Sequence, residues 1–263
     1  GQLPTRNFQD GQFEGAEKIC GEAMRDTILV ERGSCYACPI GCKRVVEVAD
    51  DQYEVDKEYG GPEYETVGAF GSNCGVDDLR AISAANEICN AYGLDTISTG
   101  MAVSFAMECY ENGLLNKEDT GGLDLRFGNG PAMVELTRMI AERTGLGNIL
   151  AEGTDIAASK IGRGAEAYAI NVKGQPLPMH ECRTRHGQAL GYAVSPTGAD
   201  HVHNFWDGEL DKEKMKESMT SLGLYERIPQ TVLNEAKVRA YMYYTNWAWL
   251  YNHIGCCFFI PWT

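Results

Sequence analysis

Three cysteines within eight residues constrain this chain more than any other feature. In Cys35-Tyr36-Ala37-Cys38-Pro39-Ile40-Gly41-Cys42 the thiols can meet only if the backbone wraps around a common centre. Clustered thiolates are soft ligands that favour an iron–sulfur cluster, zinc or Cu(I). Pro39 and Gly41 help such a loop to curl. A cubane cluster needs four ligands, commonly three from one tight loop and one from far along the chain. Cys256 and Cys257 are the remote candidates. Four-cysteine zinc modules usually show two C-x2-C pairs. A triplet with a distant partner therefore favours iron–sulfur over zinc.

The chain has 263 residues and ten cysteines. The triplet is too tightly packed for an ordinary disulfide framework in a chain of this length, so a reducing, cytoplasmic setting is expected. Cys20, Cys89 and Cys109 fall in helical patterns and read as small buried hydrophobes. With a net charge of −14, nucleic acid, whose binding normally needs a basic face, is not an expected partner. No stretch approaches the roughly 20 apolar residues of a membrane span. The start, Gly1-Gln2-Leu3-Pro4, lacks an initiator Met and an apolar signal core, and the end, Phe258-Phe259-Ile260-Pro261-Trp262-Thr263, is apolar. A longer parent chain, cut at both ends, is expected.

Helical signals dominate, so the expected fold is all-α, mainly helical with few short strands. Helices are predicted over residues 15–31, 77–92 and from Asp95 or Thr96 to Gly113. In the second, Ile82, Ala85, Cys89 and Tyr92 share a face, and Gly93 is a natural stop. In the third, Ile97, Met101, Phe105 and Cys109 recur at four-residue steps. Pro131 opens another helix through Thr144. Further helices are predicted over 154–161, 209–222 and 230–253, the last dense in aromatics that read as packing. Strand signals are confined to residues 45–48 and 167–172. Residues 174–208 read as long loops with short helices. Two domains are expected, 1–130 with the cysteine loop and 131–263. A short echo links Asn90-Ala91-Tyr92-Gly93-Leu94-Asp95 with Asn252-His253-Ile254-Gly255-Cys256-Cys257.

Taken together with Gly1-Gln2-Leu3-Pro4-Thr5-Arg6-Asn7-Phe8, Gly61-Pro62-Glu63-Tyr64-Glu65-Thr66, Gly93-Leu94-Asp95-Thr96 and Tyr192–His201, the cysteine loop resembles the aldehyde:ferredoxin oxidoreductase family over nearly the whole chain. The resemblance is to its second and third, mainly helical domains. It implies that the family's N-terminal β-rich pterin-binding domain is missing from this sequence. It implies a tungsten (or molybdenum) bis-pterin in the full-length protein and a [4Fe–4S] cluster relaying electrons to ferredoxin. The family holds its pterins with two Asp-x-x-Gly-Leu-(Asp or Cys) motifs, which fall on the internal echo. Asn90, Gly93, Leu94 and Asp95 match the first motif; Asn252 and Gly255 match the second. The resemblance makes Cys257 the fourth cluster ligand beside Cys35, Cys38 and Cys42. Asn replaces the leading Asp in both motifs, keeping an acceptor oxygen but no charge. Without the family, Asp95 reads as a helix N-cap.

The activity implied is aldehyde oxidation to a carboxylic acid with ferredoxin as electron acceptor. Glu65 matches the family's active-site glutamate, with Glu63 one slip away, and His201 matches its histidine. His180 and His186, among Arg183 and Arg185, could line a substrate funnel. Cys74 opens an alternative: the benzoyl-CoA reductase branch carries a protein thiolate on tungsten, and an aromatic acyl-CoA would then be the substrate. A buried thiol is the plain reading of Cys74. An electron-transfer module without pterin and a zinc-stabilised structural domain are the readings from other classes. The resemblance also allows a homodimer. The subunit-bridging Glu-x-x-His iron motif of some relatives has no His here beside Asn86 and Glu87.

Overall fold

A computed structural model describes residues 3–213, 217–257 and 259. The chain divides into two compact units, Gly1–Met179 and His180–Thr263. As the sequence predicts, the architecture is mostly helical with a few two-residue to five-residue strands. The division at 130/131 expected from sequence falls inside the first unit. There a helix beginning at Gly130 packs on its neighbours, so the chain contacts do not thin out at that point.

The first unit opens with α1 (Gly21–Thr27) and the antiparallel hairpin β1 (Leu29–Gly33) and β2 (Lys43–Val46). A short pair follows, β3 (Val48–Ala49) with β4 (Glu54–Val55). Then come α2 (Tyr64–Phe70), α3 (Leu79–Tyr92), α4 (Thr96–Glu111), α5 (Gly130–Glu142), α6 (Gly145–Leu150) and α7 (Thr154–Ile161), and the two-residue strands β5 (Asn171–Val172) and β6 (Gln175–Pro176). Side-chain caps start the long helices where the sequence places them. Asp78 accepts from Arg80 N–H, Asp95 from Ser98 N–H, and Asn129 from Ala132 N–H just before Pro131. Each such cap is worth about 1 kcal/mol.

The core forms where α3 packs on α5, α5 on α6, and α2 on α4. Phe70, Ile82, Phe105, Met133 and Leu136 are among its fully buried side chains. The four-residue apolar stripe of α4 understates its burial: every residue from Thr99 to Cys109 is buried. A helix surrounded on all sides has no polar face to show, and its small residues Gly100, Ala102, Ser104 and Ala106 let neighbours approach all round.

Several local expectations are corrected. Residues 15–31 form a short 3-10 turn, α1 and then β1, because Leu29 and the residues after it pair with Lys43–Val46 across the hairpin. Cys20 is not a core residue; its sulfur caps α1, accepting from Ala23 N–H at 3.4 Å. The predicted strand over 167–172 shortens to β5, with a 3-10 turn before it.

The second unit contains α8 (His186–Val194), α9 (Glu217–Thr220) and α10 (Glu235–His253). The helix predicted over 209–222 is reduced to a 3-10 turn at Asp207–Glu209 and to α9; residues 214–216 lie outside the described residues. A buried ion pair organises this unit. Asp207 and Lys237, both fully buried, meet at 2.8 Å. Asp207 also accepts the Gly187 and Gln188 N–H groups at 2.9 Å, capping α8. Lys237 donates to the Pro229 and Gln230 carbonyls as well. Burying two charges is tolerable only with this degree of pairing. Among the described residues no helix is long and apolar enough to cross a membrane.

Candidate functional site

The hairpin β1–β2 exists to present its loop. Gly33 pairs with Lys43, so residues 34–42 are held at the tip between two strand ends. Cys38 N–H donates to the Cys35 carbonyl at 3.0 Å. Gly41 lies in the left-handed region at φ 60°, as its place in the loop suggests, and Ala37 joins it at φ 55°. Arg44 clamps the base, donating to the Cys42 carbonyl at 3.0 Å and to Glu63 at 2.8 Å. Cys35 is exposed and Cys38 and Cys42 are half-buried. Three accessible thiols on one curled loop are a donor set suited to a soft metal cluster.

Beside that hairpin a cleft of about 550 Å³ opens in the first unit. Its lining includes Lys43 and Arg44 from β2, Glu63, Glu65 and Thr66 around α2, and Asn86 and Asn90 on α3, and Asp95. Four residues singled out from sequence, Glu63, Glu65, Asn90 and Asp95, therefore share one cavity. Glu65, half-buried, accepts the Met179 N–H at 2.7 Å, while Tyr64 donates its hydroxyl to the Met179 carbonyl at 2.7 Å. Both bonds fix the direction of α2's first turn. Thr66 and Thr96 join hydroxyls at 2.9 Å, tying α2 to α4. Lys57, Thr66 and Asn86 also line the cleft and were not singled out; nothing in their local sequence distinguishes them from ordinary polar residues.

Asp95 is the N-cap its position allows, accepting from Ser98 N–H at 2.7 Å, and it also lines the cleft. The echo between the two Asn-x-x-Gly segments is a shared helix ending. Gly93 sits at φ 70° and Gly255 at φ 71°, a conformation that a side chain would strain. Gly93 N–H reaches the Asn90 carbonyl and Leu94 N–H the Cys89 carbonyl; Gly255 N–H reaches the Asn252 carbonyl and Cys256 N–H the Tyr251 carbonyl. Both are Schellman-type stops. The Asn side chains differ in their partners. Asn90 Nδ2 donates to the Tyr59 carbonyl at 2.8 Å, and Asn252 Nδ2 faces His203 Nε2.

In the second unit, His201 is half-buried with its ring 5.2 Å from that of buried His180. Arg185 donates to His180 Nδ1 at 3.0 Å and lies over Trp206 at 5.9 Å. Because guanidinium can only donate, His180 Nδ1 is an acceptor and its proton sits on Nε2. His186 starts α8 and its N–H donates to the Gln230 carbonyl. Cys256 is half-buried and Cys257 exposed, just past α10.

Cys74 lies in the core of the first unit. It is fully buried, and its thiol donates to the Ala69 carbonyl at 3.3 Å and leans towards that of Gly100 at 3.8 Å. Burial alone raises its pKa far beyond the thiol range. Its surroundings are those of a core thiol. Cys89 and Cys109 behave alike, each pushed by burial up to about 12.

Comparison with known proteins gives a consistent picture. The family model for aldehyde ferredoxin oxidoreductase, domains 2 and 3, matches residues 1–263. A tungsten-containing aldehyde ferredoxin oxidoreductase of Pyrococcus abyssi is 43% identical over 208 residues, covering 78% of this chain and 33% of that protein. One from Thermococcus kodakarensis is 36% identical over 260 residues, covering 98% and 40%. The chain thus spans a third to two-fifths of the length of these relatives. Among solved structures, an active-site complex of benzoyl coenzyme A reductase with 1,5-dienoyl-CoA superposes with a TM-score of 0.55 at 24% identity, covering 74% of this chain and 28% of that one. That likeness concerns the fold.

Proposed function

The chain belongs to the aldehyde ferredoxin oxidoreductase family, domains 2 and 3, and from that premise we propose that it forms the cluster-bearing, helical part of a tungsten (or molybdenum) bis-pterin enzyme that oxidises aldehydes to carboxylic acids. One observation carries the reading: the cleft that gathers Glu65, Asn90 and Asp95 lies at the base of the hairpin that presents Cys35, Cys38 and Cys42. A redox centre and its electron outlet need such closeness.

The residues fit the cofactor. Asp95 and the Asn90 oxygen offer acceptors to the N–H groups of an aminopyrimidine edge, and Lys43 and Lys57 offer positive charge at the rim. In the second unit Asn252 and Gly255, which share the helix ending of Asn90 and Gly93, would hold the second pterin. The metal, when bound, supplies two-electron redox chemistry and polarises the substrate oxygen. Glu65, anchored through Met179 N–H, holds and moves a proton at the substrate carbon. His201, packed against a His180 of fixed tautomer, is the second proton-handling group. Cys35, Cys38 and Cys42, with Cys257 as fourth ligand, would hold a [4Fe–4S] cluster, which would supply the electron outlet to ferredoxin. Residues 32–46 carry Arg32, Lys43 and Arg44 and no carboxylate, in a chain of net charge −14, and Tyr36 at the loop tip is fully exposed. That charge contrast suits a negatively charged electron acceptor.

Anaerobic metal and pterin analysis of the intact protein is the test. Tungsten or molybdenum, pterin, and iron matched by acid-labile sulfide are expected. Zinc without iron or pterin would overturn the reading.

A further inference from the structure

The Asn at the head of each Asn-x-x-Gly motif works as a ligand acceptor only if its amide is held with the oxygen outward. On Asn90 this is settled by the backbone: Nδ2 donates to the Tyr59 carbonyl, which can only accept. Among the described residues, Asn252 Nδ2 has no such carbonyl beside it. Its Nδ2 faces His203 Nε2, a nitrogen that is an acceptor in one tautomer only.

Asp200 selects that tautomer. Its carboxylate accepts from His203 Nδ1 and also takes the Val202 N–H at 2.6 Å, which fixes the carboxylate in turn. With the proton on Nδ1, the Nε2 lone pair is turned to Asn252. Trp249, one helical turn before His253 on α10, stacks on the imidazole with ring centroids 4.1 Å apart and planes 6° from parallel. The ring is therefore held by a carboxylate on one edge, an amide on the other and an indole on its face.

We infer that His203 is a positioning residue for the second pterin: through the Asp200–His203–Asn252 chain it locks the Asn252 amide with Oδ1 outward. The inference rests on the reading of Asn252 as a pterin-holding residue. It also accounts for an amide at this position. A carboxylate facing His203 Nε2 would meet a lone pair unless the imidazole took up a second proton, whereas an amide pairs with the neutral ring and still offers an oxygen beyond it.

The test is pterin retention by the intact protein after dialysis, assayed as released oxidised pterin per chain, for single and double variants. Losing one such bond should weaken retention about fivefold. Asn252→Ala and His203→Ala should each show that loss, and the double variant should be no worse than either, because the two act as one unit. His203→Gln, whose side-chain oxygen can accept from Nδ2, should recover most of it. Nitrogen-15 NMR of labelled histidine in the intact protein should show His203 protonated on Nδ1. If Asn252→Ala weakens retention and His203→Ala does not, the inference is overturned while the reading of Asn252 stands. Additive losses without rescue by Gln would likewise overturn it, leaving His203 as packing for Trp249. If Asn252→Ala itself changes nothing, the reading beneath the inference falls.

Discussion

Cysteine does opposite work in two regions of the first unit. In the helical layer, Cys74, Cys89 and Cys109 are fully buried, and burial keeps their thiols protonated. In the β1–β2 loop, Cys35 is exposed and Cys38 and Cys42 half-buried, with left-handed backbone at Ala37 and Gly41 turning the chain back on itself. The side chain is the same; water access and loop shape decide whether the thiol fills space or stays open to a ligand. The lesson extends to Cys20, which does neither and caps a helix.

The contrast can be broken most decisively at Cys38. In the intact protein Cys38→Ala should abolish iron and sulfide, whereas Cys89→Ala should leave both at wild-type levels. Iron retained by the first variant would remove the loop from cluster binding. Glu65→Gln should reduce turnover by roughly 10²–10⁴ with metal content unchanged. Unaltered turnover would exclude Glu65 from proton transfer.

Alkylation sharpens the same contrast without the enzyme assay. After the metals are stripped by chelation, iodoacetamide at pH 8 should modify Cys35, Cys38 and Cys42 about 10³-fold faster than Cys89 and Cys109. Comparable rates would mean that the core is open. Because the folded state holds these core protons more tightly than the unfolded chain, their stabilising effect is fully present below about pH 9. It is lost as pH rises towards about 12. Urea unfolding across that range should show stability falling, and less steeply in Cys89→Ala relative to its own neutral-pH value.

The smallest effect is expected at Asp95, where cap and cofactor roles separate. Asp95→Asn keeps a good N-cap, so stability should change by only a few tenths of a kcal/mol, while Asp95→Ala should cost about 1 kcal/mol. Pterin content should fall in both variants. A fall in Asp95→Ala alone would make Asp95 only a cap.

Local chemistry wrote much of this fold plainly. Helices α3, α4 and α5 lie close to where the sequence places them because Asp78, Asp95, Asn129 and the stop at Gly93 act within one turn of their own backbone. Glu65, Asn90 and Asp95 were legible through motif order, and the cleft brings them together. What was illegible depended on partners distant in sequence. β1 reads as helix until Lys43–Val46 is laid beside it. Helix α2 is too short to show a period, and its direction is set by Met179, more than a hundred residues on.

The sequence by itself determined the helical class and the family, since each rests on spacing along one backbone. Only the tertiary structure decided that Cys74 is sealed in the core, that Glu65 is anchored by the Met179 amide, and that His203 stands between Asp200 and Asn252. Those outcomes depend on burial and on which groups meet in space. A hydrogen bond or a desolvated thiol draws its energy from neighbours that chain order does not name.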